Sequence, residues 1–335
     1  MRMKAVRVQY ASPDGSRHTA SNPAPPSAIH IEDVPKPSNP PPGHIIVQMK
    51  ASTVIRDSLT WPELYASPPA HMGNDFAGVV VEVAPGDHGE SEFQPGDEVY
   101  GMAHADRGST WAEYAIVTVE EANRKPPGLA WEEAAALPLS ALTADQALFV
   151  HARLGSRAEE EARPRVLVTG AGGGVGMFAV AFAAVAGCYV VGACGSKGRD
   201  EGFVRGMGAH EVVAYGDLKL QEQFDAVIDT VGGEVLRACW EVVKGDGALV
   251  SVDTASWNFV QEHEKNGLSL GKERVRALFF IVEPSRESMG RVSKMVETKG
   301  IKGLVAKTMH LGQAREAYEL ATGGGYGRGK VVLTM

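Results

Sequence analysis

The chain has 335 residues, enough for two domains, and an ordinary globular composition with 44% hydrophobic and 22% charged residues. Its formal net charge of −8 and the lack of a basic run argue against partners such as nucleic acid or a membrane surface. No apolar run approaches the length of a membrane span, and the N-terminus lacks a signal peptide's apolar segment, so we expect a cytoplasmic protein.

The first 136 residues are predicted to be rich in β-strand. β-forming residues alternate or cluster between Gly and Pro breaks in six segments, 4–8, 30–34, 45–51, 76–83, 98–101 and 111–117. The proline-rich stretches 11–27 and 35–42 are predicted to be surface connections. This part of the chain is therefore not expected to be doubly wound.

From residue 137 the pattern changes to alternating helices and apolar strands. A helix is predicted over 137–154, and strands are predicted at 166–169, 189–193, 211–214, 226–229, 248–252 and 277–282. Such alternation implies a mostly parallel sheet covered by helices, the doubly wound arrangement. The tail is predicted to add a helix at 286–298, a strand at 304–310, a helix at 313–320 and a strand at 330–334.

A glycine-rich turn lies between the strand 166–169 and the helix that follows it. Turn glycines let backbone N–H groups approach a pyrophosphate, and the helix N-terminus adds partial positive charge. The spacing Ala171-x-Gly173-x-x-Gly176 has alanine in the first glycine position, so the order strand, turn, helix, strand carries the prediction. We predict that this turn, with Gly174 and Val175 inside it, binds a dinucleotide.

The end of the second strand indicates which dinucleotide binds. An NAD site usually places Asp or Glu there to bind the ribose 2′-hydroxyl. This chain instead has Ser196, Lys197 and Arg199 before its first acid, Asp200. One hydroxyl and two cations suit a 2′-phosphate, which predicts NADP(H) as the cofactor; the alternative is that these are the ordinary charges of a solvated loop.

Motifs along nearly the whole chain resemble those of the medium-chain dehydrogenase/reductases, in their zinc-independent quinone-oxidoreductase (enoyl reductase-like) branch. The motifs are GNDFAGVVVEV at 73–83, PGDEVYG at 95–101, WAEYAIV at 111–117, EEAAALPLSALTADQAL at 132–148, VTGAGGGVG at 168–176, GMGAHEVVAY at 206–215 and GRGKVVL at 327–333. The resemblance implies an α/β protein with a GroES-like β-barrel domain, 1–136 with 284–335, and a Rossmann doubly wound domain, 137–283. The active site would lie in the cleft between them.

The resemblance also implies roles for individual residues. Tyr215 would line the adenosine pocket, and the segment 53–65 would shape the substrate pocket, with Asp57, Trp61 and Tyr65 as its polar or aromatic side chains. Of these, Tyr65 and Asp57 are the candidate catalytic residues, with Tyr65 or else solvent as the proton donor. The alternative for each side chain is a fold-packing or surface role. The nicotinamide half of the cofactor would be lined by Thr143, Ser251, Phe279, Phe280 and Lys330.

Zinc is not expected. In the zinc-binding branch of the family a cysteine and a histidine bind the catalytic metal, and here those positions are Ile55 and Asn74. His71 stands alone, three residues early, and the four-cysteine structural lobe has no counterpart. Many relatives carry Asn at position 55 and Asp at position 58, so the hydrogen bonds made by those residues are not expected from Ile55 and Ser58.

The function predicted from these features is NADPH-dependent reduction of an activated C=C bond or a quinone, both small-molecule substrates. Without zinc to polarise a carbonyl, hydride delivery suits a conjugated acceptor whose developing charge hydrogen bonds can stabilise. Two alternatives remain, namely a redox-neutral or oxidative enzyme of specialised metabolism and a catalytically silent NADPH-binding protein. The strand at 277–282 could pair across a two-fold axis in a homodimer, or it could be covered within the chain.

Overall fold

The computed structural model describes residues 1–9, 11, 15–66, 70–84, 92–157, 163–220 and 223–335, with the backbone alone at 70–71 and 219–220. The chain divides into two compact units, Met1–Leu139 with Glu283–Met335, and Ser140–Val282. These bounds differ by three residues or fewer from those predicted from the sequence. Within the described residues, no helix is long and apolar enough to cross a membrane.

The described strands and helices are numbered here in chain order. The strands are β1 (Arg2–Val8), β2 (Ile29–Pro35), β3 (His44–Thr53), β4 (Ala70–His71), β5 (Asp75–Val83), β6 (Glu98–Met102), β7 (Tyr114–Thr118), β8 (Ala122–Arg124), β9 (Arg165–Thr169), β10 (Tyr189–Cys194), β11 (Glu211–Ala214), β12 (Phe224–Asp229), β13 (Val243–Ser251), β14 (Arg276–Phe279), β15 (Val305–His310) and β16 (Lys330–Thr334). The helices are α1 (Trp131–Ala135), α2 (Pro138–Asp145), α3 (Gly176–Val185), α4 (Lys197–Gly206), α5 (Gly233–Val242), α6 (Phe259–Lys265), α7 (Arg286–Lys299) and α8 (Ala314–Gly323).

The first unit contains two sheets. A small sheet has the order β2-β1-β4, and a larger one has the order β15-β16-β3-β5-β6-β8 with β7 also paired to β3. Strand β3 carries Ile45, Val47 and Met49 into a buried cluster, as its alternating apolar pattern requires. The tail returns to this sheet, because β16 pairs antiparallel with β3. The last strand of the chain is therefore part of the N-terminal unit.

The second unit is a six-stranded parallel sheet with the order β11-β10-β9-β12-β13-β14. Helices α3, α4, α5 and α6 pack against its strands. The order of connection reverses between β9 and β12, which is where doubly wound sheets bind ligands at the carboxyl ends of their strands. The predicted doubly wound arrangement is confirmed, and it brings the glycine-rich turn to that reversal point.

Four differences from the sequence prediction bear on the fold. The helix expected over 137–154 is α2 followed by a π-helical segment, Gln146–His151, and the strand expected to 282 ends at Phe279. The strand expected from 111 begins at Tyr114, and the buried Trp111 before it donates an indole hydrogen bond to the Thr53 carbonyl. Helix α4 was not predicted, since its glycines have low helix propensity.

Candidate functional site

The glycine-rich turn between β9 and α3 is tightly folded. Gly170 has a φ of 61°, and a Cβ there would lie 2.2 Å from Thr230 Oγ1. A Cβ on Gly176 would lie 2.1 Å from the Gly170 carbonyl oxygen, so the first turn of α3 packs directly on the turn backbone. The Gly173 N–H donates to that same oxygen at 2.8 Å. Side chains at 170 and 176 are therefore incompatible with this geometry.

The outer face of the turn is open. Gly173 and Gly174 are exposed, and a Cβ on Gly174 would contact only Ser140 Oγ, at 3.7 Å. Ala171, by contrast, is buried and its N–H donates to the Ala193 carbonyl at 3.1 Å, so it anchors the turn to β10. Val175 is half-buried and directly precedes α3. The exposed glycine backbone fits a diphosphate, which needs close approach to backbone N–H groups.

Tyr215 lies against this turn. It follows β11, and the Gly170 N–H is near enough to its hydroxyl to oppose part of the rise in its pKa. Its ring lies 3.5 Å from the position that a Cβ on Gly195 would occupy, just after β10. Burial raises the pKa of the Tyr215 hydroxyl, which is therefore a neutral hydrogen-bonding group. The residue predicted to line an adenosine pocket is thus close to the residues that end β9 and β10.

The three polar residues predicted to bind a 2′-phosphate belong to the start of α4 and not to a loop. Ser196 precedes the helix and its hydroxyl makes no capping bond, while Lys197 opens the helix; both are exposed. The guanidinium of Arg199 is held by the next residue, Asp200, with Nε to Oδ1 and Nη2 to Oδ2 both 3.0 Å. The predicted basic residues therefore lie together, and one of them already has a carboxylate partner.

The position of Asp200 corrects the sequence analysis, which treated this acid as lying beyond the site. Asp200 is buried, and its Cγ lies 3.3 Å from the position that a Cβ on Gly172 would occupy. Its N–H donates to the Ser196 carbonyl at 3.0 Å, so it completes the first turn of α4. Had α4 been predicted, its helical period would have returned Asp200 to the side of Ser196.

Asp229 is a second acid that sequence reasoning missed. It ends β12, is fully buried, and accepts hydrogen bonds from Thr169 Oγ1 at 2.7 Å and Ser251 Oγ at 2.9 Å. Burial raises its pKa, although those hydroxyls and the N–H groups of Val231 and Gly232 favour the charged form. Its carboxylate joins the ends of β9, β12 and β13 at the reversal point. The sequence signal that could have identified Asp229 is an acidic residue at the end of a buried apolar strand.

Three of the residues predicted to line a nicotinamide meet at the ends of β13 and β14. Ser251 and Phe279 are paired across the two strands, and the Phe280 N–H donates to the Ser251 carbonyl at 3.4 Å. The Phe280 ring lies 4.1 Å from that of His151, centroid to centroid. Thr143 is buried in α2, one turn after Ser140, which faces Gly174.

Lys330, the remaining residue of that set, belongs to the first unit. Its ammonium lies 2.7 Å from Asp75 Oδ2, and the same oxygen accepts from Thr53 Oγ1 at 2.5 Å. The other oxygen of this fully buried carboxylate accepts from the Leu139 N–H at 2.6 Å. Lys330 is thus an ion-paired residue at the start of β16, and removing either partner would leave a buried charge.

The proposed catalytic residues also lie in the first unit, in short helical turns. The Tyr65 hydroxyl donates to the Leu59 carbonyl at 2.6 Å and accepts from the Ala24 N–H at 2.9 Å, and burial raises its pKa. Asp57 is half-buried, and its carbonyl accepts from the Thr60 N–H at 2.8 Å. No acceptor is found among the described residues for the half-buried Trp61 indole. These contacts give Tyr65 a structural role and leave the proton donor unassigned.

The residues at the expected zinc positions do not fit the metal. Ile55 has no ligand atom, and Asn74 Nδ2 donates to the Ala103 carbonyl at 3.2 Å. The described residues contain no group of three His, Cys, Asp or Glu side chains that could hold a metal ion. The side chain of His71 lies outside the described part of the structure.

Comparisons with known proteins agree with this architecture. The family model described as "Alcohol dehydrogenase GroES-like domain" matches residues 41–127, and the one described as "Zinc-binding dehydrogenase" matches 207–333. A solved structure of the quinone oxidoreductase from Coxiella burnetii superposes with a TM-score of 0.80 and 26% identity over 100% of both chains. The predicted combination of a GroES-like domain with a Rossmann domain is confirmed.

Similar sequences are named as oxidoreductases. A probable zinc-binding oxidoreductase, mitochondrial, from Arthroderma benhamiae is 34% identical over 92% of this chain and 94% of its own. The chloroplastic quinone-oxidoreductase homolog of Spinacia oleracea is 28% identical over 91% and 93%. The mitochondrial NAD(P)H oxidoreductase RTN4IP1 of Danio rerio is 28% identical over 84% and 76%. Since these relatives are named for organelles, the cytoplasmic location expected here stays a prediction.

Proposed function

Because the chain belongs to the medium-chain dehydrogenase/reductase family, in its quinone-oxidoreductase type, we propose that it reduces an activated C=C bond or a quinone with NADPH. The observation that carries the proposal is that the open glycine turn, Tyr215 and the basic start of α4 lie together at the carboxyl ends of β9, β10 and β11. Relatives named quinone oxidoreductase and NAD(P)H oxidoreductase support the reaction class.

In this proposal, residues of the second unit bind each part of the cofactor. The exposed backbone of Gly173 and Gly174 would hold the pyrophosphate, and Tyr215 would line the adenosine pocket. Ser196, Lys197 and Arg199 would bind the 2′-phosphate, because one hydroxyl and two cations complement its charge. The nicotinamide would be lined by Thr143, Ser251, Phe279 and Phe280. When bound, NADPH supplies a hydride from its nicotinamide C4.

The residues at the zinc positions favour a conjugated acceptor. Ile55 and Asn74 cannot replace thiolate and imidazole ligands, so no metal would polarise a simple carbonyl. An enone or quinone spreads its developing negative charge, which hydroxyl and backbone donors can stabilise. Since both hydrogen-bonding directions of the Tyr65 hydroxyl are used within the fold, solvent is the proton donor in this proposal.

Cofactor preference is the first test. We expect NADPH to bind more tightly than NADH in isothermal titration. Lys197→Ala should weaken the binding free energy of NADPH by about 1–3 kcal/mol, the scale of a charged hydrogen bond. NADH affinity should barely change. Lys265→Ala, an exposed lysine on α6 of the same unit, is the matched control. Equal affinity of the wild type for both cofactors would contradict the proposed preference.

The chemistry is tested with NADPH deuterated at C4 in each stereochemistry, mixed with a panel of enones and quinones. Deuterium at the β-carbon of an enone, located by mass spectrometry or NMR, is the expected result, with NADPH oxidised in equal amount. Label at a carbonyl carbon would mean carbonyl reduction instead. Tight binding of NADPH without transfer to any acceptor would favour a silent binding protein, and substrate conversion without net cofactor change would favour a redox-neutral enzyme.

A further inference from the structure

Arg199 is an exposed side chain that is nevertheless held in one orientation. Its side chain is 74% exposed, yet Nε and Nη2 both donate to the carboxylate of Asp200 at 3.0 Å. A free arginine at such a site samples many rotamers and loses that freedom when it binds a ligand. The paired guanidinium has already lost much of it, so it is pre-organised.

The carboxylate that holds Arg199 is itself fixed against the glycine turn. The side chain of Asp200 is only 6% exposed, and its Cγ, Cβ and Oδ1 lie within 3.3–3.5 Å of the position that a Cβ on Gly172 would occupy. The orientation of the guanidinium is therefore tied to the position of the turn.

The geometry leaves one edge of the guanidinium unused. An arginine has five N–H donors, and two of them point to Asp200. The remaining three belong to Nη1 and Nη2, whose shared edge matches two oxygens of a phosphate. Within the described part of the chain, no other acceptor is recorded for these three side-chain donors.

We propose that Asp200 is a positioning residue that orients Arg199 so that the free edge of its guanidinium receives the 2′-phosphate of NADPH. The inference rests on the proposed NADPH preference and names what sets it. The expected change in NADPH affinity is opposite to the one that charge alone predicts. A carboxylate close to a phosphate repels it, so charge alone predicts that neutralising Asp200 tightens NADPH binding. If Asp200 instead positions Arg199, neutralising Asp200 weakens the binding of NADPH.

The test is a double-mutant cycle on the full chain, with dissociation constants for NADPH and NADH measured by titration. Asp200→Asn keeps the shape of the side chain and removes its charge. We expect it to raise the dissociation constant of NADPH about tenfold and to change that of NADH less than about twofold. In an Arg199→Ala background the same change should no longer weaken NADPH binding. Glu201→Gln, the neighbouring acid on α4 that pairs with Arg205, is the matched control.

Three results would overturn the inference. Tighter NADPH binding by Asp200→Asn would show that the carboxylate acts only as a repelling charge. Equal losses for NADPH and NADH, or the same loss with and without Arg199, would show that Asp200 merely supports the turn. If Asp200→Asn does not fold, Asp200→Ser removes the carboxylate with less bulk and is measured in the same cycle. A wild type without NADPH preference would instead contradict the proposed function.

Discussion

The hydroxyl of Tyr65 shows how a residue that suits catalysis can be used by the fold. Tyr65→Phe would leave the buried Ala24 N–H without its partner, so we expect the free energy of unfolding in urea to fall by about 1–3 kcal/mol. Turnover per folded molecule should stay the same. Tyr326→Phe is the control, because Tyr326 packs on the same apolar cluster and no hydrogen bond of its hydroxyl is recorded among the described residues. A large loss of turnover at unchanged stability would make Tyr65 the acid after all.

His263 is a residue whose protonation opposes folding. It is buried between α5 and α6, where Nδ1 accepts a hydrogen bond from Trp240 Nε1 at 2.8 Å. Burial, with the charge of Arg237, lowers its pKa, so the folded chain keeps it neutral. Below the ordinary histidine pKa of about 6.5 the unfolded chain binds more protons than the folded one, and stability falls as the pH falls.

The prediction for His263 is a difference between two pH profiles. His263→Gln keeps an acceptor for the Trp240 N–H but does not titrate, so its free energy of unfolding should fall less steeply than that of the wild type below about pH 6.5. Urea denaturation at a series of pH values measures both slopes. Parallel profiles would mean that the environment of His263 does not shift its protonation.

At the scale of elements, the contact between α3 and the end of β9 depends on one glycine. Gly176→Ala would place a methyl group 2.1 Å from the Gly170 carbonyl oxygen and force the helix away from the turn. We expect a loss of about 3 kcal/mol in unfolding free energy. Gly202→Ala is the control: it lies inside α4 with open space around its Cβ position and should stabilise by about 0.5–1 kcal/mol. Similar effects of the two changes would refute this account of the turn.

At the scale of the whole molecule, the chain combines a match to a model described as "Zinc-binding dehydrogenase" with Ile55 and Asn74 at the positions where zinc ligands are expected. We therefore expect elemental analysis of the purified protein to find far less than one zinc per chain, and chelators to leave activity unchanged. Stoichiometric zinc, lost together with activity on chelation, would reopen the alcohol-dehydrogenase reaction.

Strand β14 raises the question of assembly, because it is the last strand of the six-stranded sheet in the second unit. Its Ala277, Leu278 and Phe279 are only half-buried. An edge strand of this kind can pair with its copy across a two-fold axis, so we predict a homodimer. Light scattering after size exclusion should give twice the 35.6 kDa of the chain, and a monomer at micromolar concentration would contradict this.

Local sequence patterns were sufficient for most of the second unit. The six strands and the glycine turn were predicted because apolar runs and glycines act on their nearest neighbours in the chain, and the parallel arrangement of the strands follows from their alternation with helices. Helix α4 was missed because the helix propensity of its sequence is low. Its stability comes from tertiary packing, in which Val204 is buried. The positions of Lys197 and Arg199 were thus predicted, but not their secondary structure.

The sequence by itself determined that this chain has an N-terminal β-rich unit, a parallel α/β unit and a turn suited to a dinucleotide. Only the tertiary structure decided that Asp200 faces that turn, that Lys330 is bound to Asp75, and that Tyr65 is bound to Ala24. These pairs join groups whose meeting depends on which elements become neighbours, up to 255 residues apart in the chain. Periodicity reports which side of an element is buried, whereas the partner of a buried polar group is set by packing between distant elements.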